Sequence, residues 1–425
     1  MPGGLLAGTF APVTAPDEPR AGVRSLLRRP AYRRLWLART ISQVGDVAQF
    51  TTLALLIVAL TGSALGVSAV VLAEIVPVLL LAPVAGSLVD RLPRVRVMVA
   101  ADLVRVVLAG VLALWHDSAP VAYAVAFGLS AGQVFFSPAA QSVLPSLVAD
   151  DELVAANSGI WTAAVTAQIA VAPVAALLAV SVGFGPAFAV NAVSFALSAV
   201  VLRRLREPER ARPVRASSPF AHAREALGAL GQIPLLKALA AGQFLAALSA
   251  GATSSLLVVL AQERLGGGAG YGLLVAAIGV GAALGPALLL RKLRDPRRPL
   301  FVFGPYAVRG VVDLVLAAAS ALPLAAAVLV IYGLSTSTGS VTFSSLVQSR
   351  VPEDLRGRAF AGFDVLWQTG RMLSLIGGGL LADAVGIQAV YLLGGVLLLA
   401  ASAVGAVGAV GARRHARDTP ADRPT

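Results

Sequence analysis

Along most of the chain, apolar residues run on for about 20 positions at a time, broken by short clusters of charge, glycine and proline. A helix needs about 20 residues to cross a hydrocarbon core of about 30 Å, so each run predicts a membrane-spanning helix. The first six runs are Leu35 to Leu60, Val67 to Leu88, Val97 to Trp115, Val121 to Val143, Ser158 to Val180 and Pro186 to Leu202. The second six are Leu235 to Leu260, Tyr271 to Leu290, Leu300 to Ala319, Pro323 to Val347, Phe360 to Leu381 and Ile387 to Gly411. Between them, residues 204–234 form the longest polar stretch, whose "FAHAREALGALGQIPLLKALA" is compatible with an amphipathic helix on the membrane surface. The pattern predicts an all-α membrane protein with twelve transmembrane helices in two six-helix halves. Its parts are a tail at 1–30, bundles at 31–203 and 235–411 around the linker, and a tail at 412–425.

Composition agrees with this reading. Hydrophobic residues make up 57% of the chain and charged residues 13%, whereas soluble domains carry roughly a quarter charged residues. The net charge of +12 does not point to nucleic acid, because the basic residues flank apolar runs instead of forming a stripe with interleaved aromatics. With the N-terminus inside, the clusters at Arg20 to Arg34, Arg91 to Arg96, Arg203 to Arg224, Arg291 to Arg298, Arg350 to Arg358 and Arg413 to Arg423 all fall on one side. The other side keeps a single basic residue, Arg264. That asymmetry predicts both termini in the cytoplasm and an even number of spans. The first twenty residues lack the basic region of a cleavable leader and read as a cytosolic tail. Cysteine is absent and the three histidines have no ligand spacing, so no metal and no cofactor are expected. No nucleophilic triad or nucleotide loop occurs either: "LGGGAGYG" does not follow a strand, so neither an enzyme nor an ATP-driven pump is indicated.

The halves repeat one design. Gln141, Ser142 and Pro145 after the fourth run match Gln348, Ser349 and Pro352 after the tenth. Parallel halves of this kind place a substrate site between them near the midplane. With the loop "GSLVDRLPRVR" between the second and third runs, the chain resembles the major facilitator superfamily over about residues 30 to 412. The segments "ARTISQVGDVAQF", "QSVLP" and "VPEDLRGRAF" are similar to its macrolide-efflux and enterobactin-exporter branch.

The resemblance implies a role for that loop. Gly86 would let the second helix pack on the eleventh, and Asp90 would sit at the N-terminus of the eleventh helix when the cytosolic side is closed. Arg91 and Arg94 complete the signature, while Pro93 replaces its second glycine, and Arg356 and Arg358 would pair with Asp90 in the same latch. It also implies a cavity lined by the fourth, seventh and tenth helices, with Gln133, Gln243, Thr253, Thr336 and Thr342 as polar candidates and Trp367 as an aromatic wall. Ala172 and Pro173 stand where antiporters carry a Gly-Pro pair.

Ionisable residues inside the runs are expensive and so point to function or buried pairing. Asp46 lies about 18 Å into the first run and is the leading proton carrier. Glu74 is a second candidate, or the partner of Arg371 at similar depth. Arg309 and Asp313, four apart, read as an internal ion pair, and Asp102 with Arg105 as an extension of the Asp90 cluster. The expected function is proton-coupled efflux of a small amphiphilic drug, siderophore or secondary metabolite by a monomer in a bacterial plasma membrane. An importer of the same fold and a membrane sensor that does not transport are the alternatives.

Overall fold

The computed structural model describes residues 23–206, 234–292, 300–351 and 353–418. Twelve long helices carry them: α1 (Pro30–Thr61), α2 (Ala64–Arg91), α3 (Arg94–Leu114), α4 (Ala119–Val143), α5 (Leu153–Ser181), α6 (Phe184–Arg203), α7 (Pro234–Ser255), α8 (Gly267–Lys292), α9 (Leu300–Ala318), α10 (Leu322–Arg350), α11 (Glu353–Val385) and α12 (Ile387–Asp418). No strand occurs among the described residues. Ten of the helices are long and apolar enough to cross a membrane, and α7 with its continuation Leu257–Arg264, bent by 45°, makes an eleventh span. The twelfth, α11, is more polar because Gln368, Arg371 and three glycines dilute its apolar residues.

Twelve crossings bring both chain ends to one side, here the terminal end; the opposite side is the far end. At the far end the helices turn tightly, and Gly62, Gly183 and Gly386 take positive φ there so that one helix stops and the next starts within a few residues. At the terminal end the helices extend past the predicted apolar runs. Several start before the predicted runs, α1 at Pro30 and α11 at Glu353, and α12 continues to Asp418, past the predicted start of the C-terminal tail. The packed structure also begins inside the predicted N-terminal tail: a single turn at Val23–Leu26 buries Leu26, and Arg29 bonds Glu152 through both guanidinium nitrogens at 2.5 and 2.7 Å. The predicted surface helix of the linker falls largely in residues 207–233, outside the described ones.

Within the first half α1 packs on α5 and α6, α2 on α4, and α3 on α4 and α6. Adding six to each number gives the packing of the second half: α7 on α11 and α12, α8 on α10, and α9 on α10 and α12. The halves meet along α5–α8 and α2–α11. One apolar core at the far end draws residues from both halves, including Leu53, Val67, Leu256 and Leu274. At the terminal end the core splits in two, around Tyr32, Met98 and Phe136 in the first half and around Phe303, Leu346 and Phe363 in the second. Val104, Val107, Val174 and Leu177 point outward, as a lipid-facing girdle requires.

Because lipid is as apolar as leucine, helices in a membrane are held by close packing, and small residues make it possible. A Cβ on Gly272 of α8 would lie 2.8 Å from Ala172 O and from Pro173 Cα of α5. The glycine run of α11 is divided between two partners: Gly378 faces Ala252 of α7, and Gly379 faces Leu65 and Ser68 of α2. Ser374 supports the same crossing by accepting the Ala252 N–H at 2.9 Å, close to the bend in α7.

Candidate functional site

Asp46 lies about 24 Å along α1 from Pro30, near mid-membrane. Arg105 of α3 donates to Asp46 Oδ1 at 2.5 Å, to Asp102 Oδ1 at 3.2 Å and to Ser42 Oγ at 3.3 Å. Its guanidinium is 3.8 Å from the centre of the Phe195 ring and 5.7 Å from that of Phe136, so aromatic faces from α6 and α4 flank the cation. Asp102 is 0% exposed and Arg105 2%, while the Asp46 side chain is 31% exposed. The expectation that Asp102 and Arg105 extend the Asp90 loop is corrected: their charge turns inward, onto α1.

The second half holds an arginine and an aspartate on α9, the counterpart of α3. The predicted Arg309–Asp313 pair is not within salt-bridge distance. Arg309 donates to Tyr332 Oη at 2.9 Å and lies 4.7 Å from the ring centre, while Asp313 accepts from Ser249 Oγ at 3.3 Å. The two side chains reach different neighbours, α10 and α7, and each finds its own partner. Glu74 and Arg371 also make no salt bridge, although they stay within electrostatic reach. The α2–α11 crossing is at Leu65 and Gly379, and the two residues lie about 12 Å beyond it towards the terminal end, where the helices part. Glu74 instead sits in a small void with Phe50 and Ser255.

Among the hollows in the terminal-end half of the molecule, two are lined by three or more long helices, one in each bundle. The first, about 600 Å³, is formed by α1, α4 and α5 and contains Arg39, Gln43, Asn157 and Trp161. The second, about 470 Å³, is formed by α7, α9, α10 and α11 and contains Tyr306, Phe343, Phe360, Asp364 and Trp367. The helices of the first, advanced by six, are α7, α10 and α11. Of the polar candidates, Gln243 and Thr336 line the second hollow, with Gln243 accepting a hydrogen bond from Tyr306. Thr253 and Thr342 do not line it: they are buried and donate to the carbonyls of Ser249 at 3.2 Å and Phe301 at 2.6 Å, so they serve helix packing. Gln133 is exposed on α4 and lines neither hollow. Arg39, Asp364 and Asn157 went unflagged in the sequence because the predicted runs began too late, which put the two charges at apparent helix ends.

Of the latch residues, the side chains of Arg91 and Arg94 and the glycine Gly86 are among the described ones. A Cβ on Gly86 would meet nothing within 4 Å, so the close α2–α11 packing expected there is not made. Arg91 is exposed, and Arg94 donates to the Ser142 carbonyl at 3.0 Å within its own half. Pro93 takes the N-cap position of α3 at φ −59°, which its ring favours. The side chains of Asp90, Arg356 and Arg358 lie outside the described ones. At the far end the same two helices are joined by Asp383 of α11. Its carboxylate accepts from Ser63 Oγ at 2.6 Å, Ala64 N at 2.7 Å and Leu65 N at 3.2 Å, capping the first turn of α2.

No group of His, Cys, Asp or Glu among the described residues is arranged to hold a metal ion. Two repeated bundles, each with a hollow and with buried charge, are suited to carrying a solute across a membrane.

Comparison with known proteins agrees. The chain is 26% identical over 402 residues, 88% of its length and 93% of the relative's, to the uncharacterized MFS-type transporter YfiS of Bacillus subtilis strain 168. Its fold matches that of a point mutant of the nucleoside transporter NupG with a TM-score of 0.69 at 13% identity, covering 90% of this chain and 99% of that one. A bacterial homologue of the iron transporter ferroportin, in an inward-facing state, matches with a TM-score of 0.68 at 19% identity, covering 91% and 99%. The family model described as Major Facilitator Superfamily matches residues 35–375, so the chain belongs to that superfamily and is a membrane transporter, not an enzyme.

Proposed function

We propose that the protein is a proton-coupled exporter of a small amphiphilic compound, of the macrolide-efflux and enterobactin-exporter kind, working by alternating access. The observation that carries this reading is the cluster in the first half, where two carboxylates, Asp46 and Asp102, share one guanidinium, Arg105. With both carboxylates ionised the cluster would hold one uncompensated negative charge, at a depth where a charge costs about 2.5 to 3.5 kcal/mol even on lenient scales. One proton neutralises it. Asp46, the exposed member, is where that proton arrives and leaves.

The basic clusters support a cytoplasmic terminal end. The state described is then open to the cytoplasm and sealed outside, and its Asp46 is paired with Arg105, as expected after proton release and before solute loading. Protonation of Asp46 from the outside would free Arg105 to rely on Asp102 and Ser42 alone. Ala172 and Pro173, seated against Gly272 on the α5–α8 seam, add support for export as a form of the antiporter pattern.

Asp46→Asn tests the proposal. The amide leaves one carboxylate, Asp102, for the one guanidinium, so the cluster no longer needs a proton to be neutral, and proton-driven efflux is lost while solute exchange without a gradient and thermal stability are kept. Wild-type, gradient-driven efflux by this variant would overturn the proton-carrier role.

A further inference from the structure

Two charged side chains in the hollows are not used by the coupling mechanism above. Arg39 lies about 14 Å along α1 from Pro30, and Asp364 about 17 Å along α11 from Glu353, both more than two turns into their helices from the terminal end. Neither has a hydrogen-bond or ion-pair partner among the described residues. Every other arginine and aspartate discussed at comparable depth has a partner or an opposite charge within electrostatic reach. Arg105 has two carboxylates, Arg309 has Tyr332 and Asp313, and Arg371 has Glu74.

The surroundings of the two lone charges differ in a way that bears on ligand chemistry. Asp364, exposed, shares its hollow with Arg309, whose guanidinium is bonded to Tyr332, and with Phe343, Phe360, Phe363 and Trp367, aromatic faces that attract cations as well as apolar groups. Arg39 shares its hollow with the neutral amides of Gln43, Gln141 and Asn157, which complement an acid group without competing for the guanidinium. A ligand with only a positive charge would be desolvated beside Arg39 with nothing to offset it. A ligand with only a negative charge would meet the Asp364 carboxylate in a hollow whose cation, Arg309, is already engaged by Tyr332 and Asp313.

We propose that the two hollows together form one binding site for an amphoteric organic compound, its cationic amine held by Asp364 among the aromatic rings and its acid group held by Arg39. This rests on the transport reading and names its substrate class. Arg39 belongs to the first half and Asp364 to the second, so a ligand with both charges binds most tightly when the terminal end closes on it. That difference in affinity between the two states is what a transported solute must supply to drive closure.

The test uses the full chain in nanodiscs and three matched probes: the dipeptide phenylalanyl-phenylalanine, its C-terminal amide, which is only cationic, and its N-acetyl derivative, which is only anionic. Binding is read from the change in tryptophan fluorescence, to which Trp161 and Trp367 in the hollows contribute two of the four indoles, and from ligand-induced thermal stabilisation. The zwitterion is expected to bind about ten- to a hundredfold more tightly than either derivative. Arg39→Gln should reduce it to the level of the amide, and Asp364→Asn to the level of the acetylated probe. Equal binding of a singly charged probe, absence of binding by all three, or variants that weaken all three probes alike would overturn the proposal. None of these outcomes touches the proton-carrier reading, which stands or falls on the Asp46→Asn measurement.

Discussion

At the far end of the α2–α11 pair a Cβ on Gly379 would lie 2.9 Å from Leu65 Cα and from Ser68 Oγ, whereas at the terminal end a Cβ on Gly86 would meet open space. The helices are antiparallel, so each end joins the N-terminus of one to the C-terminal segment of the other. Each of those C-terminal segments carries a carboxylate, Asp383 on α11 and Asp90 on α2. At the far end the cap is made: Asp383 takes the Ser63 hydroxyl and the first two N–H groups of α2. The loop resemblance assigns Asp90 the matching role on α11 in the opposite state. If Asp90 takes that proposed role, alternating access along this seam would amount to exchanging one helix cap and one glycine contact for another, each worth little enough to be reversible.

Breaking the far-end contact by bulk should have the largest effect. The Leu65 Cα beside Gly379 is backbone and cannot move aside cheaply, so Gly379→Leu should disfavour the sealed far end by about 3 kcal/mol, roughly a hundredfold. The chain has no cysteine, so Ser68→Cys gives a single reporter at a position 0% exposed. An impermeant thiol reagent should label it slowly in the parent and much faster in the Gly379→Leu background. Gly379→Ala should fall between the two, which keeps the result readable if the leucine variant folds poorly. Unchanged labelling in both would mean that the glycine contact does not hold the far end shut.

Removing the cap should have a smaller effect in the same direction. Asp383→Asn keeps an acceptor oxygen but loses the charge at the start of α2, a change of about 1 kcal/mol, so Ser68→Cys labelling should rise roughly fivefold. Added salt should narrow the gap between Asp383→Asn and its parent, because Asp383 is exposed and its interaction with the helix end is screened. A labelling rate equal to the parent at low salt would show that Asp383 contributes nothing to the seal.

The two ends were not equally legible in the sequence. All twelve spans could be read, because a bilayer demands long apolar runs whatever packs against them. The depth of Asp46 and Glu74 was also legible from position alone. The partner of Asp46 was not: Arg105 reaches it from another helix, and spacing along the chain carries no information on which helix faces which. Arg39 and Asp364 were missed for a different reason. Hydropathy marks where the apolar run begins and not where the helix begins, and here α1 and α11 start five and seven residues earlier. Thr253 and Thr342 were misread because a threonine that bonds a nearby carbonyl looks the same in sequence as one that faces a solute. The cap by Asp383 left only a weak trace, an aspartate in a far-end turn, since its partner lies in the other half of the chain.

The smallest expected effect serves as the control for the comparison. Arg29 donates twice to Glu152, and the Ala149 N–H bonds the same carboxylate at 3.0 Å, all at the terminal end and all within the first half. These hydrogen bonds hold the Glu152 carboxyl below the ordinary carboxylate range. A carboxylate with a depressed pKa contributes stability that is complete above its unfolded-state value and is lost as the pH falls through the lower, folded value. The thermal stability of the parent should therefore drop on acidification below about pH 4.5, slightly, because Arg29 is half exposed and its pairing is screened. Glu152→Gln should remove that part of the pH dependence. It should also leave Ser68→Cys labelling unchanged, because the clasp does not cross the seam between the halves. If Glu152→Gln speeds that labelling, the terminal-end clasp and the far-end seal are coupled, and the two ends cannot be treated as separate caps on one pair of helices.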